Sequence, residues 1–343
     1  MTSYTIKNDN YFQINEEKAA PDITTIIEEK IHFFQKRMKL YSLYHYLFLF
    51  IGIFEITLIT VFSSFFFKSA FIALVVALFF LTFFSYFITR LYVENKKPLQ
   101  IQQGVDDFLE NYEHFINHEI NSPEYFLAMA NVCCKLADSL CSVEYLFYNF
   151  PKKIPFFKKF VERISFWLHW EEVFLFKEHL LKKAVAFHLE VIKLFPTQLK
   201  YHAGLANCYV MLSGLYADPR KIDGLEEIDW IPPDRYNKQI EKKFQETAKK
   251  AIEEFKILSE YAPNDPWVHE QLAFSYHDLQ MYEEEIQEYE TINRLKPDDL
   301  EALFKLGVLY FKLGKNAKGL QIYEKLKKYR YSKAEQLITF YGS

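Results

Sequence analysis

Few residues in this chain have the type and spacing that chemistry requires. His114 and His118 stand one helical turn apart with Glu113 and Glu119 beside them, a spacing that can seat a metal ion. No third ligand is evident nearby, and the pair reads as an ordinary polar face. Glu55 is the only charge in residues 41–67, where an ionised carboxylate is costly and marks an ion path or a helix contact. A structural role suits it best, protonated or paired with a Ser or Thr hydroxyl across a helix interface; an oligomeric proton path is the alternative. Cys133, Cys134, Cys141 and Cys208 show no CxxC spacing, so reduced thiols are expected rather than a zinc knuckle or redox dithiol. Gly314-Lys315 lacks the glycine five residues earlier that a phosphate loop needs, and neither GxSxG nor HExxH occurs. The sequence therefore nominates no catalytic residue, metal site or cofactor site. One stretch is richer. Lys152, Lys153, Lys158, Lys159 and Arg163 alternate with Phe156, Phe157, Phe160, Trp167 and Trp170. Its apolar residues share a helical face, which suits packing on a neighbouring helix or contact with anionic headgroups.

The elements that carry these residues follow from hydropathy. Residues 41–67 and 69–92 form two strongly apolar runs, each longer than the roughly 20 residues a helix needs to cross a bilayer core, with Lys68 between them. The expectation is a two-span transmembrane hairpin. Lys36, Arg37 and Lys39 precede it and Arg90, Lys96 and Lys97 follow it, so both termini are expected on the cytosolic side. No cleaved signal peptide is expected, because some forty mostly polar residues precede the first run. Residues 1–20 read as a mobile tail, and residues 21–40 as a juxtamembrane amphipathic helix opening at Pro21-Asp22. Pro98 and Gly104 are expected to end the second span, and the stripe of Val105, Phe108, Leu109, Tyr112, Phe115 and Ile116 to open a soluble domain over residues 105–343. That domain is helical in pattern throughout, with a helix from Ser122-Pro123-Glu124 to about residue 150 and insertions near residues 151–172 and 217–237. A net charge of −4 offers no global attraction to nucleic acid.

The last ninety or so residues repeat with a period of 34: Pro263 recurs as Pro297, Leu272-Ala273 as Leu306-Gly307, Tyr276 as Tyr310, and Tyr289 as Tyr323. These repeats resemble the tetratricopeptide repeat (TPR). The clearest copies span residues 264–297 and 298–331. The first matches at Leu272, Ala273, Tyr276, Tyr289, Ile292 and Pro297 but has Glu285 where the family prefers Ala; the second has Gly319 in that place and Tyr331 for the closing Pro. Ser332 is expected to cap a last helix through Phe340. An upstream copy is split, with Leu205, Ala206 and Tyr209 on one side and Ala251, Phe255, Leu258 and Pro263 on the other; Ala184, His188, Val191 and Pro196 suggest a further half. The fold class is therefore all-α: a transmembrane hairpin followed by a TPR-like α-solenoid with insertions.

The resemblance implies a concave face lined by the first helix of each pair, which binds a protein or peptide. It would place there Asn131, Cys134 and Lys135, then Ala203, Asn207 and Met211, then Glu270, Phe274 and His277, and finally Phe304, Val308 and Phe311. Asn131 and Asn207 are the best candidates, since an amide both donates to and accepts from an extended backbone. Leu127 and Ala203 stand where carboxylate-clamping members carry Lys, which argues against capture of a chain terminus. The function expected is that of a membrane-anchored adaptor with a protein partner, a lipid contact through two spans, no cofactor and no nucleic acid. Two alternatives are a regulatory subunit of an integral membrane enzyme or transporter, and an exported or lipid-interacting effector. For the latter, the hairpin resembles the bilobed segment of bacterial inclusion-membrane proteins.

Overall fold

The computed structural model describes residues 23–61, 71–116, 118–148, 155–218 and 233–342. The expected tail at 1–20, the hairpin turn at Lys68 and most of the second insertion lie outside the described residues. Within them the regular structure is helical. The helices are α1 (Ile23–Val61), α2 (Phe71–Glu113), α3 (Pro123–Ser139), α4 (Pro155–Leu194), α5 (Leu199–Tyr216), α6 (Lys238–Tyr261), α7 (Pro266–Asp278), α8 (Tyr282–Leu295), α9 (Leu300–Lys312), α10 (Asn316–Lys328) and α11 (Ala334–Leu337). The chain divides into two compact units within α4, after Ala184.

In the first unit, α1 runs unbroken from the amphipathic segment into the first apolar run, so the expected boundary at residue 40 is not a break in the helix. α2 likewise continues through Pro98 and Gly104. Proline forfeits one helical hydrogen bond, and Pro98 stands on the exposed side, where the freed carbonyl is not shut into a core. Beyond the apolar runs, Ile27, Phe34 and Met38 of α1 meet a core built from Ile101, Val105 and Phe108 of α2, Met129 and Leu136 of α3, and Phe176 and Leu180 of α4. Phe34 stacks on Phe176 at 4.6 Å. The expected start of a separate domain at residue 105 therefore gives way to a core that joins α1 and α2 to α3 and α4, because the Val105 stripe needs those helices to cover it. Lys97 pairs with the buried Glu172 at 2.7 Å.

Ser122 caps α3 as the sequence suggests, accepting from the Tyr125 amide at 3.1 Å, with Pro123 in the first turn. The helix ends at Ser139, short of residue 150, and a left-handed Ser142 turns the chain into a short 3-10 segment, Val143–Tyr145. Ser165 of α4 receives that turn, accepting from the Phe147 amide at 3.1 Å and donating to the Glu144 carbonyl at 2.7 Å. The described part of the expected first insertion, from residue 155, is accordingly the opening of a single long helix. His169 stacks on Phe147 at 4.0 Å, and burial, aided by Lys97 and Lys39, lowers its pKa to about 3, which leaves it neutral.

In the second unit, α5 to α10 pack in chain order, each on its predecessor, as short units that cannot bury their own apolar faces must. The repeat is visible atom by atom. Asp265 caps α7 through the Trp267 amide (3.0 Å), and Asp299 caps α9 through the Ala302 amide (2.9 Å). Between the paired helices the chain turns through left-handed Gln280 and Gly314, and the following amides, Met281 and Lys315, close on the Tyr276 and Tyr310 carbonyls at 2.9 and 2.8 Å. The final helical segment begins after Lys333, not at Ser332; it is α-helical to Leu337 and continues as a 3-10 turn, Ile338–Phe340, to the expected end. Lys333 is held instead by Glu301 at 3.0 Å.

One buried polar contact recurs. His202 Nδ1 lies 2.6 Å from Glu254 and its Nε2 lies 2.9 Å from the Pro196 carbonyl; His269 repeats this with Glu288 at 2.6 Å and the Pro263 carbonyl at 3.0 Å. One repeat further on, Leu303 and Ile322 occupy both places, and both are buried. The polar pair and the apolar pair are alternative ways of filling the same space. His269→Leu alone should strand Glu288 and cost about 1–3 kcal/mol, read as faster hydrogen exchange in α7 and α8, whereas His269→Leu with Glu288→Ile should recover most of the protection.

Candidate binding face of the helical repeats

The first helix of each pair turns its Leu-Ala-Tyr positions into the core. Leu272, Ala273 and Tyr276 of α7 and Leu306 and Tyr310 of α9 are buried accordingly. What remains for recognition lies on the opposite side of these helices, and it differs from repeat to repeat.

On α5, Asn207 and Met211 are half-buried. Ala203, expected beside them, is in the core at 1% exposure, so the face starts a turn later. The α3 residues Asn131, Cys134 and Lys135 are also half-buried but belong to the other compact unit. Among the described residues, neither Asn131 nor Asn207 spends its side-chain amide on a hydrogen bond to a neighbouring helix. An amide that is half-covered yet unspent is available to a ligand backbone.

On α7 and α9 the expected face is occupied in an ordered way. Phe274 is partly exposed and has the Lys305 ammonium 4.7 Å above its ring. Glu270 is half-buried, its carboxyl pushed up by burial, with the Lys296 ammonium 3.9 Å away. Phe304 meets the Tyr331 ring at 6.2 Å and has Lys333 5.9 Å from its centroid, and Val308 beside it is half-buried. The sequence reading did not single out Lys305 and Lys333. They stand 31 and 29 residues after the aromatic they cover, off the 34-residue period, so no regular spacing announced them.

His277 and Phe311 hold equivalent places in successive repeats and have opposite fates. His277 is half-exposed and contacts both oxygens of Glu285 at 3.1 Å, with Glu285 itself buried. That pairing accounts for a carboxylate in the place the family gives to Ala. In the next repeat Phe311 is only 1% exposed, because its ring fills the space that a side chain at position 319 would take. A Cβ on Gly319 would come within 2.5 Å of that ring. Phe311 is therefore a core residue, contrary to the expectation that it lines the binding face. In the α5–α6 pair the equivalent places hold Val210 and Ala251, and Val210 packs against the core that contains Ala251.

The other nominated chemistry resolves simply. α2 ends at Glu113, so His114 and His118 do not share a helical turn, and both side chains are exposed. Glu55 accepts a hydrogen bond from the Thr82 hydroxyl at 2.7 Å, which ties α1 to α2.

No protein-family model and no curated protein matches the chain. Among solved structures it is similar to MamA, from residue 41 to the end, of Desulfovibrio magneticus RS-1, at 13% identity, covering 71% of this chain and 95% of that one with a TM-score of 0.37. It is also similar to TTC0263, a thermophilic TPR protein of Thermus thermophilus (15% identity, 60% and 99% covered, TM-score 0.29). A third neighbour is YrrB, a TPR protein with an unusual peptide-binding site (15% identity, 52% and 84% covered, TM-score 0.24). The chain's own internal repeats carry the functional reading.

Gly319→Ala should overpack the Phe311 site and destabilise the C-terminal repeats by about 1–3 kcal/mol, with Phe311→Leu in the same chain restoring much of the loss in a thermal melt. The Glu285 hydrogen bond raises the His277 pKa above its ordinary value, against burial that lowers it. Its contribution is whole below pH of about 6.5 and is lost as pH rises through the higher folded-state value. Half-exposure keeps the effect small. Hydrogen exchange at the α7–α8 turn, corrected for intrinsic rates, should quicken over that rise in pH, and His277→Gln should remove the dependence.

Proposed function

We propose that the chain is a membrane-anchored adaptor whose helical repeats hold an extended protein segment against Asn207, Met211, Glu270, Phe274, His277 and Phe304. The unspent Asn207 amide beside half-buried apolar and charged side chains is the observation that carries this reading. It offers a donor and an acceptor to an extended backbone, with Met211, Phe274 and Phe304 partly exposed for side-chain contact, the two requirements of peptide capture.

Anchoring is supported by how the apolar hairpin treats its polar groups. Leu47, Phe50 and Phe54 of α1 and Phe80, Phe83, Phe84 and Phe87 of α2 are each at least half exposed, a surface that water does not tolerate over such a length. Meanwhile Thr57, Thr60 and Thr89 donate their hydroxyls to carbonyls one turn back, at 2.7, 2.8 and 2.7 Å, and Thr82 donates to Glu55. Internal satisfaction of hydroxyls beside exposed Phe and Leu is what hydrocarbon demands. α3 is also apolar over a comparable length, but Ala130, Val132, Cys133 and Leu136 are buried in the core, so it belongs to the soluble fold. With the two apolar runs spanning the bilayer, the flanking positive charges put both termini and the repeats on the cytosolic side. Confinement beside the membrane raises the local concentration of whatever the repeats bind, so modest affinity suffices for assembly.

The closed Glu55–Thr82 contact favours a structural role for Glu55 over a proton path. A displayed peptide library, panned against the full chain in lipid nanodiscs, should yield peptides whose affinity falls roughly 5- to 30-fold with Asn207→Ala and does not change with Glu55→Gln. Peptides indifferent to Asn207, Phe274 and Phe304 replacements alike would overturn the assignment of the face.

A further inference from the structure

The opening turns of α4 carry an aromatic and basic stripe, exposed at Lys159, Phe160, Arg163 and Trp167. At about 100° per residue, Lys159, Phe160, Arg163, Trp167 and Trp170 fall within roughly 100° of arc. Ser165, His169, Glu172 and Phe176, on the far side, face the core. Phe160 is 54% exposed and Trp167 65%, although an indole is among the most expensive side chains to leave in water. Two contacts fix where this stripe sits. Lys97 meets Glu172 at 2.7 Å, and further along the same two helices Asp106 meets Lys183 at 2.8 Å. Numbers ascend together, so α4 runs parallel to α2. Moving back from Glu172 toward Phe160 therefore follows α2 back from Lys97 toward its apolar run. At 1.5 Å per residue, Trp167 lies about 7–8 Å from Glu172, level with Tyr92 at the end of that run, and Phe160 lies about 10 Å further.

We propose that the N-terminal half of α4 is a third membrane contact: Trp167 and Phe160 enter the interfacial layer of the bilayer that holds the hairpin, and Lys159 and Arg163 meet its lipid phosphates. This rests on the anchoring described above. The chemistry fits at both levels. Indole and phenyl rings favour the headgroup boundary, and the long basic side chains reach back from it to phosphate. A glycerophospholipid surface supplies the apolar and the anionic partner at the same depth, which is the pairing the stripe displays.

The test uses the full chain in phosphatidylcholine vesicles containing phosphatidylglycerol, with a matched set whose lipids carry bromine near the glycerol end of the acyl chains. Tryptophan emission is recorded for the parent, Trp167→Phe and Trp267→Phe. Brominated lipid should quench the parent, Trp167→Phe should lose most of the quenchable emission, and Trp267→Phe should keep it. Phe160→Trp should add a second lipid-quenched component, which preserves the test if Trp167→Phe folds poorly. Emission from Trp167 that iodide quenches and brominated lipid does not would overturn the proposal and point to solvent or a protein partner at the stripe. Flotation of the same samples separates the two readings: a chain that fails to float with vesicles defeats the anchoring, whereas one that floats with Trp167 open to iodide defeats only this contact.

Discussion

The repeats depend on one constraint: the two helices of each unit must meet at fixed points, and whatever one side chain leaves empty the other must fill. The places held by His202, His269 and Leu303 face those held by Glu254, Glu288 and Ile322; the places of Val210, His277 and Phe311 face those of Ala251, Glu285 and Gly319. Each row shows a matched pair. An imidazole meets a carboxylate, a leucine shares its core with an isoleucine, and a phenyl ring requires a glycine. Close packing enforces this, since interiors near crystal density tolerate neither a void nor an extra methyl group at such points. The helices can then vary freely elsewhere, and the face left for recognition is the part that the constraint does not touch.

In the proposed anchor, the same reasoning applies to the hairpin with a different solvent. Glu55 and the threonines are polar groups in apolar helices; each threonine hydroxyl donates inside the protein, and one oxygen of Glu55 accepts from Thr82. In water such bonds would compete with solvent and contribute little; against hydrocarbon no competitor exists. Beyond the apolar runs the two helices stay continuous and become part of a packed core with α3 and α4. The proposed anchor and the soluble fold are therefore built from the same two long helices, not joined by a linker.

Several readings from sequence were sound in type and inaccurate in extent. Pro98 and Gly104 suggested a helix end, but a proline on an exposed side of a helix kept in place by its neighbours loses only one bond. The α3 helix stopped at Ser139 because Ser165, distant in sequence, received the turn that follows it. Phe311 was placed on the recognition face by analogy of position with His277; its burial was foreshadowed by Gly319, whose missing side chain leaves room for a ring.

The all-helical class, the 34-residue period and the two apolar runs are local properties, set by periodicity and composition, and the residue order alone fixes them. Which side chains pair across helices, which Asn amides stay unspent, and which way α4 runs relative to α2 depend on atoms brought together from distant parts of the chain. Those contacts arise only when apolar faces are buried, so they were decided by packing, and the candidate site is made of what packing left over.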